Sequence, residues 1–243
     1  MNPNTVTFAV GAILLGAVGI CFHDFAMQWQ PVPAGIGMRT QLAYLAGALL
    51  AVGGALLLVP KLERAGALLL TVFIGLWMLA LNLPAAIASA SHIGAWNSPA
   101  EITFMATGAL ALFASGVTSH ARPKMLLVAR ILAGISAMVF GFAHFNYIDF
   151  TATMVPGWIP WKTFWAWTTG AGHLAAGVAL VSGISARLAA GWEAAMMGSF
   201  VVLLHLPRVV AAPDQHVEWI MLGVSTMLTG AALLVRKYAT IGA

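Results

Sequence analysis

The sequence predicts an all-α membrane protein, with eight transmembrane helices arranged as two parallel four-helix bundle repeats. Three observations carry that prediction. Of the 243 residues, 61% are hydrophobic and only 7% charged, against about a quarter charged in a soluble domain. Apolar runs of about 20 residues, the length that crosses a bilayer as a helix, recur from one end of the chain to the other. Features of the first half also return in the second at a nearly constant offset.

The runs are continuous and not alternating, so they read as helices and not as barrel strands, which are about 10 residues long. The 25 glycines and many alanines suit helices whose backbones approach closely in lipid. The spans are expected near 5–27, 41–60, 66–86, 101–118, 125–148, 163–183, 188–210 and 216–236, with short connections and no linker to a soluble domain. The first run lacks a basic segment ahead of it and ends in a polar motif that recurs later. It is therefore read as a helix and not as a cleaved signal.

Charge and cysteine content exclude several classes. The net charge of +4 comes from 11 Lys and Arg spread over the chain without a cluster, which is the pattern of residues flanking membrane helices and not of a nucleic-acid surface. Cys21 is the one cysteine, so no intramolecular disulfide and no CxxC thiolate site can form.

Orientation follows from the basic residues. With eight spans, the side of the two termini collects Lys61, Arg64, Arg122, Lys124, Arg130, Arg187, Arg236 and Lys237. The opposite side has only Arg39, Lys162 and Arg208, and this bias places both termini in the cytoplasm. His23, His92, His144, His205 and His216 then lie toward the outer face, with Asp24, Glu101, Asp149, Asp214 and Glu218. His120, Glu63 and Glu193 fall on the cytoplasmic side.

The duplication divides the chain into residues 1–120 and 121–243. At an offset of 123, Gly47 matches Gly170, Gly54 matches Gly177, and Leu81-Asn82-Leu83-Pro84 matches Leu204-His205-Leu206-Pro207. Thr107-Gly108-Ala109 matches Thr229-Gly230-Ala231 at 122, and His23 matches His144 at 121. Four spans per half is an even number, so the halves share one orientation about an axis along the membrane normal.

Four motifs of the second half give a resemblance: Gly141-Phe-Ala-His144-Phe, Val155-Pro156-Gly-Trp158-Ile-Pro160, Gly170-Ala-Gly-His173-Leu-Ala-Ala-Gly177 and Leu206-Pro207. With these the chain resembles the DoxX-like family of small four-helix membrane proteins, best over about residues 125–236, the first half being a diverged copy. The family name derives from a thiosulfate:quinone oxidoreductase subunit. The resemblance implies a bacterial plasma-membrane protein, quinone-associated, with a membrane or extracytoplasmic redox partner. Relatives often carry an acidic residue where His173 stands, so a role for a carboxylate there does not carry over.

His173 reads as the one ionisable residue well inside a span, on the order of 12–15 Å below the outer surface at about 1.5 Å per residue. The structural alternative is a neutral imidazole making one interhelical hydrogen bond. His144 and His205 lie on outer turns of neighbouring spans, and with His173 they make a candidate Zn or Cu site, or a pair of axial haem ligands. Trp158, Trp161, Trp165 and Trp167 with Tyr147 form an aromatic cluster expected beside His144, suited to a quinone headgroup or to an ordinary interfacial belt. Asp149 and Asp24 are candidates to orient His144 and His23. Three functions stay open: a quinone-associated redox component, a metal, haem or small-molecule binder or transporter using His144, His173 and His205, and a scaffold subunit without a site. Only the first would make the chain part of an enzyme, as an oxidoreductase subunit.

Overall fold

The computed structural model describes residues 2–240, and all the regular structure among them is helical. Nine helices follow in order: α1 (Pro3–Cys21), α2 (Arg39–Leu57), α3 (Glu63–Ala88), α4 (Asn97–Ser115), α5 (Ala121–Asn146), the short α6 (Ile148–Met154), α7 (Lys162–Ser182), α8 (Ala186–Ala211) and α9 (His216–Ala239). Six of them (α1, α2, α3, α5, α8 and α9) are long and apolar enough to cross a membrane. Helices α4 and α7 have 19 and 21 residues, at least as long as α1 and α2 with 19 each. Asn97 and Glu101 in α4, and Lys162, Thr168, Thr169 and His173 in α7, make these two more polar than the six.

Helices pack as neighbours in chain order, α1 on α2, α2 on α3 and α3 on α4, then α5 on α7, α7 on α8 and α8 on α9. Contacts between the halves are α4 on α5, α9 on α1, and α4 on α9 through the middle. The bundle is therefore a ring closed around α4 and α9, whose Phe104, Met105, Ile220 and Met227 are wholly buried. The first and last helices meet near the chain ends, where Asn4 Nδ2 donates to the Leu233 carbonyl at 3.4 Å, and at the same end Thr5 Oγ1 donates to Glu63 Oε1 of α3 at 3.1 Å. We call this the terminal end, and the other the far end.

Small residues set the closest approaches. A Cβ on Gly141 of α5 would lie 2.8 Å from the Gly170 carbonyl oxygen of α7, and one on Gly16 of α1 would collide with that of Gly47 in α2. Backbones this close give α5–α7 and α1–α2 their dispersion contact without bulky knobs, the usual route to helix association in lipid.

The prolines of the two Leu-Pro motifs are absorbed within continuous helices. A proline has no N–H and clashes with the carbonyl four residues back. In α3 the wide turn Met78–Asn82 precedes Pro84, and in α8 the wide turn Val201–His205 precedes Pro207. Each π-turn lets the helix accommodate its proline and continue to Ala88 and Ala211. It also turns Asn82 and His205 inward, leaving them 2% and 3% exposed.

Candidate functional site

Near the middle of α7, His173 meets Glu193, two turns into α8. His173 Nδ1 lies 2.8 Å from Glu193 Oε1, and the two side chains are 2% and 0% exposed. The sequence reading placed Glu193 on the cytoplasmic side and left His173 as the one interior ionisable residue. Because α7 and α8 are antiparallel neighbours, a residue two turns up α8 returns to the depth of His173, and the correction is that the buried polar group is a pair. Its second oxygen, Glu193 Oε2, is buried without a hydrogen-bond partner.

Aromatic rings enclose the imidazole. Phe140 of α5 meets it edge-on at 5.5 Å between centroids, and Phe200 of α8 lies at 6.2 Å. His144, one turn after Phe140, brings its ring to 5.0 Å from that of His173. Its Nδ1–H donates to the Phe140 carbonyl at 2.8 Å, and since a carbonyl only accepts, a neutral His144 leaves Nε2 as a free acceptor.

A second carboxyl approaches from the first half. Glu101, in the second turn of α4, accepts from Trp29 Nε1 and, at 3.1 Å, from Asn97 Nδ2. No cation pairs with it among the described residues. The site thus descends from Glu101 and His144 toward the far end, through His173, to Glu193 at mid-bundle.

The other sequence candidates are placed differently. His205 is buried in the wide turn of α8 with Nδ1 unpartnered, and no ring contact joins it to His144 or His173. Among the described residues no group of three His, Cys, Asp or Glu is placed to hold a metal ion. Trp158, Trp161 and Trp165 are 71%, 77% and 41% exposed, an outward-facing rim and not the walls of an enclosure around His144. Trp165 packs on Phe164 and Trp167 stacks on Phe145. Neither aspartate orients a histidine: Asp24 pairs with Arg39 at 2.8 Å, His23 takes Tyr44 Oη at 2.7 Å, and Asp149 is exposed.

The first half matches this site with hydrocarbon. At the offset of 123, His173 corresponds to Leu50, Glu193 to Leu70 and Phe200 to Trp77. Leu50 and Leu70 are buried in the main core, 4% and 0% exposed. Beside Leu50 and Trp77 is a cavity of about 20 Å³, space for one water. The sequence reading missed Glu193, and the signal that could have found it is that these two positions change from leucine to ionisable together.

Comparison of the chain with protein-family models, curated proteins and solved structures gave no match.

Proposed function

We propose that this protein is a DoxX-like, quinone-associated membrane redox component, and that the pair His173–Glu193 with His144 is its proton-exchanging centre. The observation that carries this reading is the buried imidazole–carboxyl contact with one carboxyl oxygen left unpartnered. An ionisable pair at that depth is costly and is kept for a reason other than stability. A His–Glu pair in low dielectric can hold its shared proton on either partner, so a small electrostatic change beside it moves the proton. Reduction of a quinone to a quinol consumes two electrons and two protons. In this reading the electrons come from a membrane or extracytoplasmic redox partner, and His144 passes protons between His173 and the headgroup. Trp158, Trp161 and Trp165 form the aromatic rim past which a quinone enters.

The same reading takes the chain as eight spans in two repeats of one orientation, with both termini cytoplasmic in a bacterial plasma membrane. Its support is the ring of eight long helices, with matched wide turns ahead of Pro84 and Pro207, and the excess of basic residues at the terminal end. The second repeat is the working half and the first its apolar counterpart. The test is lipid extraction of purified protein together with quinone-dependent thermal shift. Near-stoichiometric quinone, and a shift reduced in Glu193→Gln, are expected; no quinone and no shift in the wild type reject the assignment.

A second reading rests on the 5.0 Å approach of the His144 and His173 rings. Two imidazoles so close suit binding or transport of a metal ion or small cation, with His205 as a further ligand if α8 turns. Zn, Cu or haem in purified protein, lost on His173→Ala, selects this reading over the first.

A further inference from the structure

A second buried ionic group lies at the terminal end of the same half, away from the histidine site. Arg130 of α5 is only 9% exposed, and its Nε is buried without a partner. Among the described residues no carboxylate lies within ion-pair distance of it and none makes a hydrogen bond to it. Its guanidinium reaches the tight turn between α7 and α8: a Cβ on Gly183 would lie 3.0 Å from Nη1 and 3.2 Å from Nη2. Gly183 has φ of 82°, a left-handed conformation that glycine adopts without cost, so the turn both needs glycine and leaves room for the cation.

That turn feeds directly into α8. Ser185 ahead of it gives no side-chain cap; the Ala186 N–H donates to the Gly183 carbonyl at 3.5 Å, and the next amides, of Arg187 and Leu188, have no side-chain acceptor. A second cation lies along the same helix, where Arg236 from the end of α9 has its Nε 3.2 Å from a Cβ built on Gly191. Three positive groups are found here, a buried guanidinium, the N-terminus of α8 and a second guanidinium, against the carbonyl end of α7, which Gly183 caps. The acid on α8, Glu193, is turned away to His173.

We propose that this place binds one phosphate-type anion, held in the fork of Arg130 against the uncapped start of α8, with Arg236 completing the charge. A guanidinium fork and free helix amides are the two groups that recognise a phosphate most directly. Basic pockets between membrane helices take anionic lipid headgroups in the same way. The ligand is a phosphodiester lipid headgroup or a free phosphate.

The test uses the full chain purified in neutral detergent, with native mass spectrometry against phosphatidylglycerol and phosphatidylcholine and thermal shift with inorganic phosphate. The wild type is expected to retain phosphatidylglycerol over phosphatidylcholine. Arg130→Gln should lower that preference by about fivefold or more, which corresponds to about 1 kcal/mol per basic side chain at a membrane surface. Stabilisation by inorganic phosphate without lipid preference, lost in Arg130→Gln, also supports the site and identifies its ligand as a free anion. Arg236→Gln reads the same site from the helix end if Arg130→Gln does not fold, and Arg130→Lys separates the fork from the charge. Equal retention of the two lipids with no response to phosphate, or responses unchanged in Arg130→Gln and Arg236→Gln, overturns the proposal and leaves Arg130 a hydrated arginine reaching for water.

Discussion

Replacing both members of the buried pair should cost less than replacing either. Leu at position 173 alone strands the Glu193 carboxyl, 0% exposed, with neither oxygen partnered. Breaking a buried pair on one side typically costs about 3–5 kcal/mol, whereas replacing both partners by packed apolar residues is neutral or stabilising by about 1–4 kcal/mol. The first half has already made the double replacement, with Leu50 and Leu70 at the matching positions and a cavity of only about 20 Å³ beside Leu50. His173→Leu and Glu193→Leu should therefore each destabilise by about 3 kcal/mol or more, and the double variant should return close to wild type. The coupling energy, the double effect less the two single ones, is then about 6 kcal/mol in magnitude, beyond the range of about 0.5–3 kcal/mol usual for residues in contact. Reversible unfolding in mixed micelles, run as a double-mutant cycle, reads it directly. If the double variant lost the sum of the two single effects, the side chains would not act as a pair and the reasoning would be refuted.

Four further outcomes follow from particular contacts. Gly141→Leu places a side chain where a Cβ alone would be 2.8 Å from the Gly170 carbonyl oxygen, and overpacking of this kind should cost about 1–3 kcal/mol in the same unfolding assay. Glu101→Ala leaves Trp29 Nε1 and Asn97 Nδ2 without their acceptor, for a loss of about 1–3 kcal/mol, with red-edge tryptophan fluorescence changing as the 2%-exposed Trp29 is freed. Asp24→Asn breaks a pair to Arg39 whose side chains are 46% and 29% exposed, so thermal stability should move by no more than about 1 kcal/mol, and less in high salt. For orientation, Met38→Cys in a Cys21→Ser background puts a thiol at a 70%-exposed position of the far end. An impermeant maleimide should label it in intact cells, and labelling only after permeabilisation would reverse the assigned orientation.

How much was legible beforehand differs between the bundle and the site. Helices declared themselves through long apolar runs, and the expected spans overlap the eight long helices. The short α6 went unseen because Ile148–Met154 is only 7 residues in a stretch dominated by polar and proline signals. His173 was recognisable as a candidate because an ionisable residue amid Gly and Ala at that depth is costly in lipid. Glu193 was not, since seven residues from a helix start reads as interfacial until the antiparallel partner helix fixes its depth. The wide turns ahead of Pro84 and Pro207 escaped for a related reason: proline announces a broken hydrogen-bond ladder, but only the surrounding helices decide whether the chain stops or bulges. Aromatic side chains at the far end gave the opposite error. Trp158 and Trp161 are close to His144 in sequence, but α6 and its flanking turns carry them outward to 71% and 77% exposure.

The central claim is that Glu193 and His173 exchange a proton when quinone is reduced. Infrared difference spectroscopy of the reconstituted protein, recorded between oxidised and reduced quinone, observes the carboxyl stretch itself. The account predicts a carboxyl band in the wild type that disappears in Glu193→Gln and shifts in His173→Gln. A wild-type spectrum without a carboxyl change, or a band that persists unchanged in Glu193→Gln, would contradict it.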